Sequence, residues 1–320
     1  MVPILKKTLV ITLNNLRPVA LISLPMKAME RVIKNHIINT TNPFMDPLQF
    51  TYRAGRGVDD AKIFIMDTIH KHLELPNTSA RVLFADFSSA FNTLQPHILA
   101  EKLSSPFHLD DQLTLWIIDF LTNRTQTVLV NNTFSDLSIT STGSPQGCIR
   151  SLLLFILYTD DCRSTHHPGH LVKCADDTVL LSLISGSLHH HSSVLSEFVH
   201  DWCDDVSLEL NVENTKDLVV TFSSKQRELA TGAITTICGQ TVGVAKKYKY
   251  LGTMFDCTLK FASNSEDIQR RCQQRQYLLR SSTASGSART SSGLFTTPLS
   301  SLLTFSIICW YHSISLQHRI

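Results

Sequence analysis

Two adjacent aspartates, Asp176 and Asp177, interrupt an apolar run that covers residues 171–181. Neighbouring carboxylates between apolar residues are costly to desolvate unless a positive charge neutralises them. A tight turn between two strands that carries such a pair is a suitable seat for a hard divalent cation, because such cations prefer carboxylate oxygen. The alternative is a solvated Asp-Asp turn, and the pair alone does not separate these two interpretations.

A third carboxylate, Asp86, follows an apolar stretch at residues 81–85 that is typical of a β-strand. Acidic residues at strand ends often hold ions in enzymes that mix strands with helices. On a strand beside the Asp-Asp turn, Asp86 would converge with the other two carboxylates. Three such groups are enough to hold two magnesium ions that keep water or phosphate oxygens in their shells.

Helices and strands must position these groups. Apolar residues at helical spacing predict helices near residues 26–37 and 63–69, from just after Phe91 through residue 103, near residues 109–122, and after Gly147. Alternating residues at 125–140 predict a hairpin around Asn131 and Asn132. A glycine-flanked helix start at residues 143–147 offers free backbone N–H groups to a phosphate or a base.

Seven motifs occur in an order that resembles the reverse transcriptase domain of LINE-type retrotransposons, which lack long terminal repeats. They are RPVALISLPMKAMERVI, QFTYRAGRG, FADFSSAFNT, SPQGC with LLFILYTDD, CADDT, LNVENTK and YKYLG. The resemblance extends from about Lys6 to Tyr277. One motif of this kind is weak evidence, whereas the ordered series is specific.

The resemblance implies an α+β, right-hand polymerase fold, with an antiparallel palm sheet flanked by helices. Its subdivision would place part of the fingers at residues 1–80 and the palm at 81–221, with an inserted fingers segment at 104–143. A hairpin region similar to a primer grip would cover residues 222–260. Residues 261–320 would form an incomplete and disrupted thumb.

The family's activity is RNA-directed DNA polymerisation. The resemblance therefore implies catalytic roles for Asp86, Asp176 and Asp177, and two Mg²⁺ ions held by these carboxylates together with Phe87. The expected partners are an RNA template, a DNA primer and deoxynucleoside triphosphates.

Substrate contacts are also implied by matching motifs. Arg53 and Arg56 lie among glycines and suit the triphosphate, because guanidinium binds phosphate oxygens in pairs. Phe91 is expected under the nucleotide sugar, where a ring excludes a 2′-hydroxyl. Gln146 and Gly147 are expected beneath the nascent base pair. The residues expected to form the primer grip are Tyr250, Leu251 and Gly252.

One position departs from the family pattern. Family members usually place a lysine just before the threonine of the LNVENTK motif, where it is thought to protonate the departing pyrophosphate. This chain has Asn214 at that position, and an amide is a poor donor of a mobile proton. Lys216 could substitute, because residues two apart on an extended segment face the same side.

Charge is distributed unevenly although the net charge is only +2. Residues 81–221 carry seven Lys and Arg against seventeen Asp and Glu, whereas residues 225–280 carry ten against four. This pattern suits metal ions in the middle and a phosphate backbone at the flanks, or it reflects chance clustering. Eight cysteines without a CxxC pair predict reduced thiols in an intracellular protein of the cytoplasm or nucleus, with no membrane span.

Other features suggest a truncated and partly degenerate retroelement. Arg150 lies at an expected packing position, residues 281–299 are serine-rich, and the chain begins within the fingers, without the upstream endonuclease of intact relatives. A shifted reading frame would explain the serine-rich segment, and a genuine linker is the alternative. Two rival functions follow: a remnant that at most binds RNA, and a zinc-stabilised interaction module. The zinc ligands would be Cys162, His166, His167, His170 and Cys174.

Overall fold

The computed structural model of this chain describes residues 1–5, 16–164, 169–185, 189–223 and 235–284. The strands are β1 (Val2–Leu5), β2 (Leu16–Val19), β3 (Thr78–Ala85), β4 (Arg124–Gln126), β5 (Leu129–Val130), β6 (Thr133–Phe134), β7 (Ser138–Thr140), β8 (Gly169–Cys174), β9 (Asp177–Ser185), β10 (Lys216–Val220), β11 (Thr236–Ile237), β12 (Gln240–Thr241), β13 (Gly243–Val244), β14 (Lys247–Tyr250) and β15 (Thr253–Asp256). The helices are α1 (Leu24–Thr41), α2 (Val58–Leu73), α3 (Ala90–Thr93), α4 (Pro96–Ser104), α5 (Asp111–Leu121), α6 (Ile149–Tyr158), α7 (His189–Ser196) and α8 (Ala262–Ala284), with a π-helical turn at Glu197–Cys203.

A five-stranded sheet organises the fold, with the strand order β13-β10-β3-β9-β8. The strand β3 lies at its centre and pairs antiparallel with both β9 and β10. The strands β8 and β9 form an antiparallel hairpin at one edge. At the other edge, the two-residue strand β13 pairs parallel with β10. The prediction of an antiparallel sheet flanked by helices is confirmed, with this short parallel pair as the exception.

Both faces of the sheet are covered, which explains why every residue of β3 is buried. Successive side chains of a strand point to opposite faces. Leu83 therefore packs into a cluster with residues of α1, α4, α5 and α6. Val82 and Phe84 pack on the opposite face, against α2 and the β14–β15 hairpin. Two hydrophobic layers thus hold the strand end at Ala85 in a fixed place.

The helices agree with the predicted periodicity, with one exception. A single helix was expected from just after Phe91 through Leu103, but α3 ends at Thr93 and α4 begins at Pro96. Proline lacks the N–H of a continuous helix and is accepted at a first turn, so the chain starts a new helix there. The predicted hairpin is confirmed, because Asn131 and Asn132 form its turn with φ values of 47° and 64°.

The region beyond residue 260 begins with α8, which ends at Ala284. The serine-rich segment lies outside the described residues, apart from its first four residues, which belong to this helix. The predicted domain boundaries remain predictions. Across the described ranges, every helix is either too short or too polar to cross a membrane.

Candidate active site at the edge of the central sheet

The three predicted carboxylates meet at the edge of the sheet that is formed by strand ends, where β3 ends and the β8–β9 hairpin turns. In the register of β3 and β9, Ala85 lies opposite Thr178, so that Asp86 and Asp177 follow at the same level. Cys174 pairs with Asp177, which leaves Ala175 and Asp176 as the two-residue turn of the β8–β9 hairpin. Ala175 adopts a φ of 63°, a left-handed conformation that costs a non-glycine residue about 1 kcal/mol.

The site carries crowded negative charge. Desolvation by the surrounding protein, and then the nearby carboxylates of Asp176 and Asp86, raise the pKa of Asp177 to about 6. The second of these causes is the negative charge of Asp176 and Asp86 beside Asp177, and a divalent cation would neutralise such charge. Within the described part of the chain, no group of three or more Asp, Glu, His or Cys side chains forms a ready-made metal cage. A cation here would need water or phosphate oxygens to complete its shell.

A loop that is distant in sequence holds the Asp86 side of the site. Asn211 donates its backbone N–H to the carbonyl of Asp86 at 2.8 Å. The N–H of Asp86 donates to Oγ1 of Thr215 at 3.2 Å, and Nδ2 of Asn214 donates to Oδ2 of Asp86 at 2.9 Å. The neighbouring backbone bridge between Phe87 and Leu210 continues this contact. The side chain of Phe87 itself is buried in the core.

A buried ammonium holds the turn side of the site. Lys173 is only 1% exposed. Its Nζ lies 2.8 Å from Oδ2 of Asp46 and donates to the carbonyls of Thr159, Asp160 and Cys162 at 3.0, 2.9 and 2.7 Å. Four oxygen partners compensate most of the desolvation cost of a buried charge. The hairpin is thereby tied both to the end of α6 and to the loop after α1.

The predicted nucleotide contacts at Phe91 and in the glycine-flanked loop lie together. The half-buried ring of Phe91 packs against Phe155 at a centroid distance of 5.2 Å, and its carbonyl accepts the N–H of Ser144 at 2.6 Å. The carbonyl of Gln146 accepts the N–H of Ala20 at 2.7 Å. Gly147 has a φ of 96°, and a Cβ there would lie 3.0 Å from a methyl group of Val19. Glycine is therefore required for the loop to approach β2.

Arg53 and Arg56 brace the loop before α2. Nη1 of Arg53 donates to the carbonyls of Met45 and Asp46 at 2.9 and 2.8 Å. Arg56 donates to the carbonyl of Pro47 and lies 5.7 Å from the centre of the Phe50 ring. These bonds occupy Nη1 of each guanidinium group and give both residues a structural role. Their contact with a triphosphate stays a prediction.

The tyrosine of the predicted primer grip is buried, whereas the tyrosine two residues before it is half-exposed. Tyr250 is only 3% exposed, and Leu251 and Gly252 form the β14–β15 turn with φ values of 45° and 81°. Tyr248, which the sequence interpretation did not select, stacks on Phe84 at 4.3 Å. The surrounding protein, and then Asp177 and Asp86, raise the pKa of Tyr248. The sequence could have indicated Tyr248, because it lies two residues before Tyr250 on the same strand and therefore on the same face.

The remaining predicted residues are placed as follows. Lys216 opens β10, and its Nζ donates to the carbonyl of Glu213. Cys162 and Cys174 are buried, and burial raises the pKa of both thiols. His170 packs edge-on against Phe64. The described members of the proposed zinc set therefore form no metal group. The remaining members of this set, His166 and His167, lie outside the described residues. The side chain of Arg150 is also outside the described part of the structure.

Comparisons with known proteins agree with this geometry. The family described as "Reverse transcriptase (RNA-dependent DNA polymerase)" matches residues 4–255. The chain is 26% identical over 279 residues to the probable RNA-directed DNA polymerase from transposon BS of Drosophila melanogaster, covering 82% of this chain and 30% of the relative. It is 26% identical over 275 residues to the RNA-directed DNA polymerase from mobile element jockey of the same species, covering 80% of this chain and 28% of the relative. The chain thus spans less than a third of the length of these relatives.

A solved structure shares the fold. The telomerase of Candida tropicalis, in complex with the TWJ fragment of telomeric RNA, aligns with a TM-score of 0.51 at 12% identity. The alignment covers 91% of this chain and 47% of that protein. At this identity the likeness concerns the fold alone, and it confirms the polymerase fold that the motif order predicted.

Proposed function

This chain belongs to the reverse transcriptase (RNA-dependent DNA polymerase) family, and from that premise we propose that it synthesises DNA on an RNA template as the polymerase part of a retrotransposon protein. One observation carries the proposal: Asp86 and the Asp176–Asp177 turn converge at the edge of a sheet whose two faces are covered. Carboxylates that far apart in sequence come together at an exposed edge at an electrostatic cost, which a catalytic role explains.

We assign two magnesium ions to these carboxylates. The fit rests on the crowded charge at Asp177 and on the preference of Mg²⁺ for one or two carboxylates together with water and phosphate oxygens. What such ions supply when bound is activation of a primer hydroxyl and neutralisation of triphosphate charge. The backbone of Phe87 lies beside Asp86 at the same edge, and we include it in the assignment.

The substrates would lie around this edge. Phe91 and the loop at residues 143–147 form one surface, which suits a nucleotide sugar and base. Arg53 and Arg56 border the loop that runs beside β8, and they would face the triphosphate. For the primer end, the half-exposed Tyr248 and the turn at Leu251 and Gly252 are better placed than the buried Tyr250.

A second candidate function is an impaired remnant that binds RNA without extending a primer. The observation that favours it is the amide of Asn214, which replaces the lysine expected there and already donates to Asp86. Without a mobile proton at this position, departure of pyrophosphate would be slower.

Primer extension on an RNA template with magnesium tests both candidates. We expect the unaltered chain to incorporate deoxynucleotides, and Asp86→Asn or Asp176→Asn to lower the rate roughly a thousandfold or more, since each removes a charge that the reaction depends on. Asp136→Asn, on an exposed hairpin remote from the site, is the matched control and should extend normally. RNA binding without extension would favour the remnant. Full activity of either active-site variant would refute the assigned mechanism.

A further inference from the structure

The loop at residues 211–215 contacts Asp86 at three separate atoms. It accepts the N–H of Asp86, donates to its carbonyl, and donates from Asn214 to its Oδ2. The two partners lie 128 residues apart in sequence. We call residues 211–215 the Asp86 clamp.

The clamp is braced internally. Asn211 accepts the N–H of Asn214 on its Oδ1 at 3.3 Å and the N–H of Thr215 on its carbonyl at 2.9 Å. Thr215 is fully buried and leads directly into β10, which pairs with β3. The amide of Asn214 is therefore presented to Asp86 from a fixed backbone, although the side chain of Asn214 is exposed.

A hydrogen bond from a neutral amide to a carboxylate sets the orientation of that carboxylate without cancelling its charge. Charge-assisted bonds of this kind are the shorter and stronger ones. Asn214 occupies Oδ2, and among the described residues no side chain or backbone group donates to Oδ1 of Asp86. The carboxylate thus keeps one oxygen and its full charge for another ligand.

We propose that Asn214 is a positioning residue, which fixes the carboxylate of Asp86 so that Oδ1 stays available to a divalent cation. The proposal rests on the metal assignment made above. It gives Asn214 a function in place of the proton donation that the family pattern suggests for this position. Loss of a hydrogen-bonding partner behind a metal ligand typically weakens metal affinity 10- to 100-fold.

Binding of Mn²⁺ to the chain without nucleic acid, measured by calorimetry or by electron paramagnetic resonance, tests this role. We expect Asn214→Ala to weaken Mn²⁺ binding about tenfold, and the conservative Asn214→Gln to stay within about threefold of the unaltered chain because it retains an amide donor. Thermal unfolding in EDTA should be nearly unchanged in both variants, since the side chain is exposed.

The matched control is Asn39→Ala, the same change at an exposed position of α1 outside the clamp, which should leave Mn²⁺ binding within about twofold. If Asn214→Ala binds Mn²⁺ as tightly as the unaltered chain, or if Asn214→Gln binds as weakly as Asn214→Ala, the positioning role is refuted while the metal site stands. If the unaltered chain binds no Mn²⁺, or if Asp86→Asn binds it equally well, the metal assignment itself fails, and the positioning role fails with it.

Discussion

The two halves of the carboxylate site are held by different kinds of interaction. Beneath the Asp176–Asp177 turn, the buried ammonium of Lys173 joins the hairpin to Asp46 and to three carbonyls. Around Asp86, the clamp uses hydrogen bonds from uncharged groups of a partly exposed loop. Leaving a buried charge without its partner strongly destabilises a protein, whereas a single hydrogen bond contributes little net stability. Disrupting the turn half should therefore destabilise the whole fold, whereas disrupting the contacts of Asp86 should change the stability much less.

The largest effect should come from breaking the turn half. Lys173→Met leaves the buried carboxylate of Asp46 without its counter-charge, so we expect the free energy of unfolding to fall by about 3–5 kcal/mol. Urea denaturation measures the change. Lys71→Met, which removes an exposed ion pair with Asp67, should cost no more than about 0.5 kcal/mol. Equal losses in the two variants would show that the buried ion pair of Lys173 stabilises the fold no more than an exposed one does.

Breaking a hydrogen bond of the Asp86 clamp should lower the free energy of unfolding by less than Lys173→Met does. Thr215→Val keeps the shape of a fully buried side chain but leaves the N–H of Asp86 without an acceptor. We expect a loss of about 1–2 kcal/mol in the free energy of unfolding, the cost of leaving one part-buried donor unpaired. Thr40→Val removes an exposed hydrogen bond to the carbonyl of His36 and serves as the control. A loss as large as that of Lys173→Met would show that the contacts of Asp86 stabilise the fold as much as those of the turn half.

A smaller, pH-dependent effect should appear at Asp177. Its pKa in the folded chain is about 6, above the value of about 3.9 for an unfolded chain. The folded state therefore binds the proton more tightly, and this stabilisation is complete below pH 4 and disappears as the pH rises through 6. Because the side chain is exposed, solvent screening limits the effect to about 1 kcal/mol.

The measurement is the unfolding free energy of the unaltered chain and of Asp177→Asn in EDTA at pH 5 and pH 7.5. The unaltered chain should gain stability relative to the variant at pH 5, where its carboxyl group is protonated. A difference between the two proteins that does not change with pH would show that folding does not raise the pKa of Asp177.

The smallest effect on stability should come from relieving the backbone strain at Ala175 in the Asp176–Asp177 turn. Ala175→Gly removes the Cβ that disfavours a φ of 63°, and glycine loses more entropy on folding, so we expect a net gain of about 0.5 kcal/mol. Ala28→Gly, at an exposed position within α1, is the control and should lose about 1 kcal/mol. Destabilisation by Ala175→Gly in thermal unfolding would show that the turn depends on its alanine side chain.

Local patterns predicted much of this fold. Alternation and asparagine chemistry identified the hairpin at Asn131 and Asn132, and helical spacing identified α1, α2 and α5. The break at Pro96 was missed because the flanking apolar residues continued the helical period across it. Tyr248 was missed because the primer-grip motif drew attention to Tyr250, and burial separates the two tyrosines only in the folded chain.

Residue types and their spacing already identify the groups available for chemistry and the ends of the strands: Asp86 follows one apolar run, and Asp176 with Asp177 lies between two others. The side chains that orient these carboxylates are evident only in the folded chain. Asn214 and Lys173 find their partners across the fold, at Asp86 and at Asp46. Residue type and spacing encode local conformation, whereas hydrogen bonds and ion pairs between distant segments exist only once a sheet and its covering helices have brought those segments together.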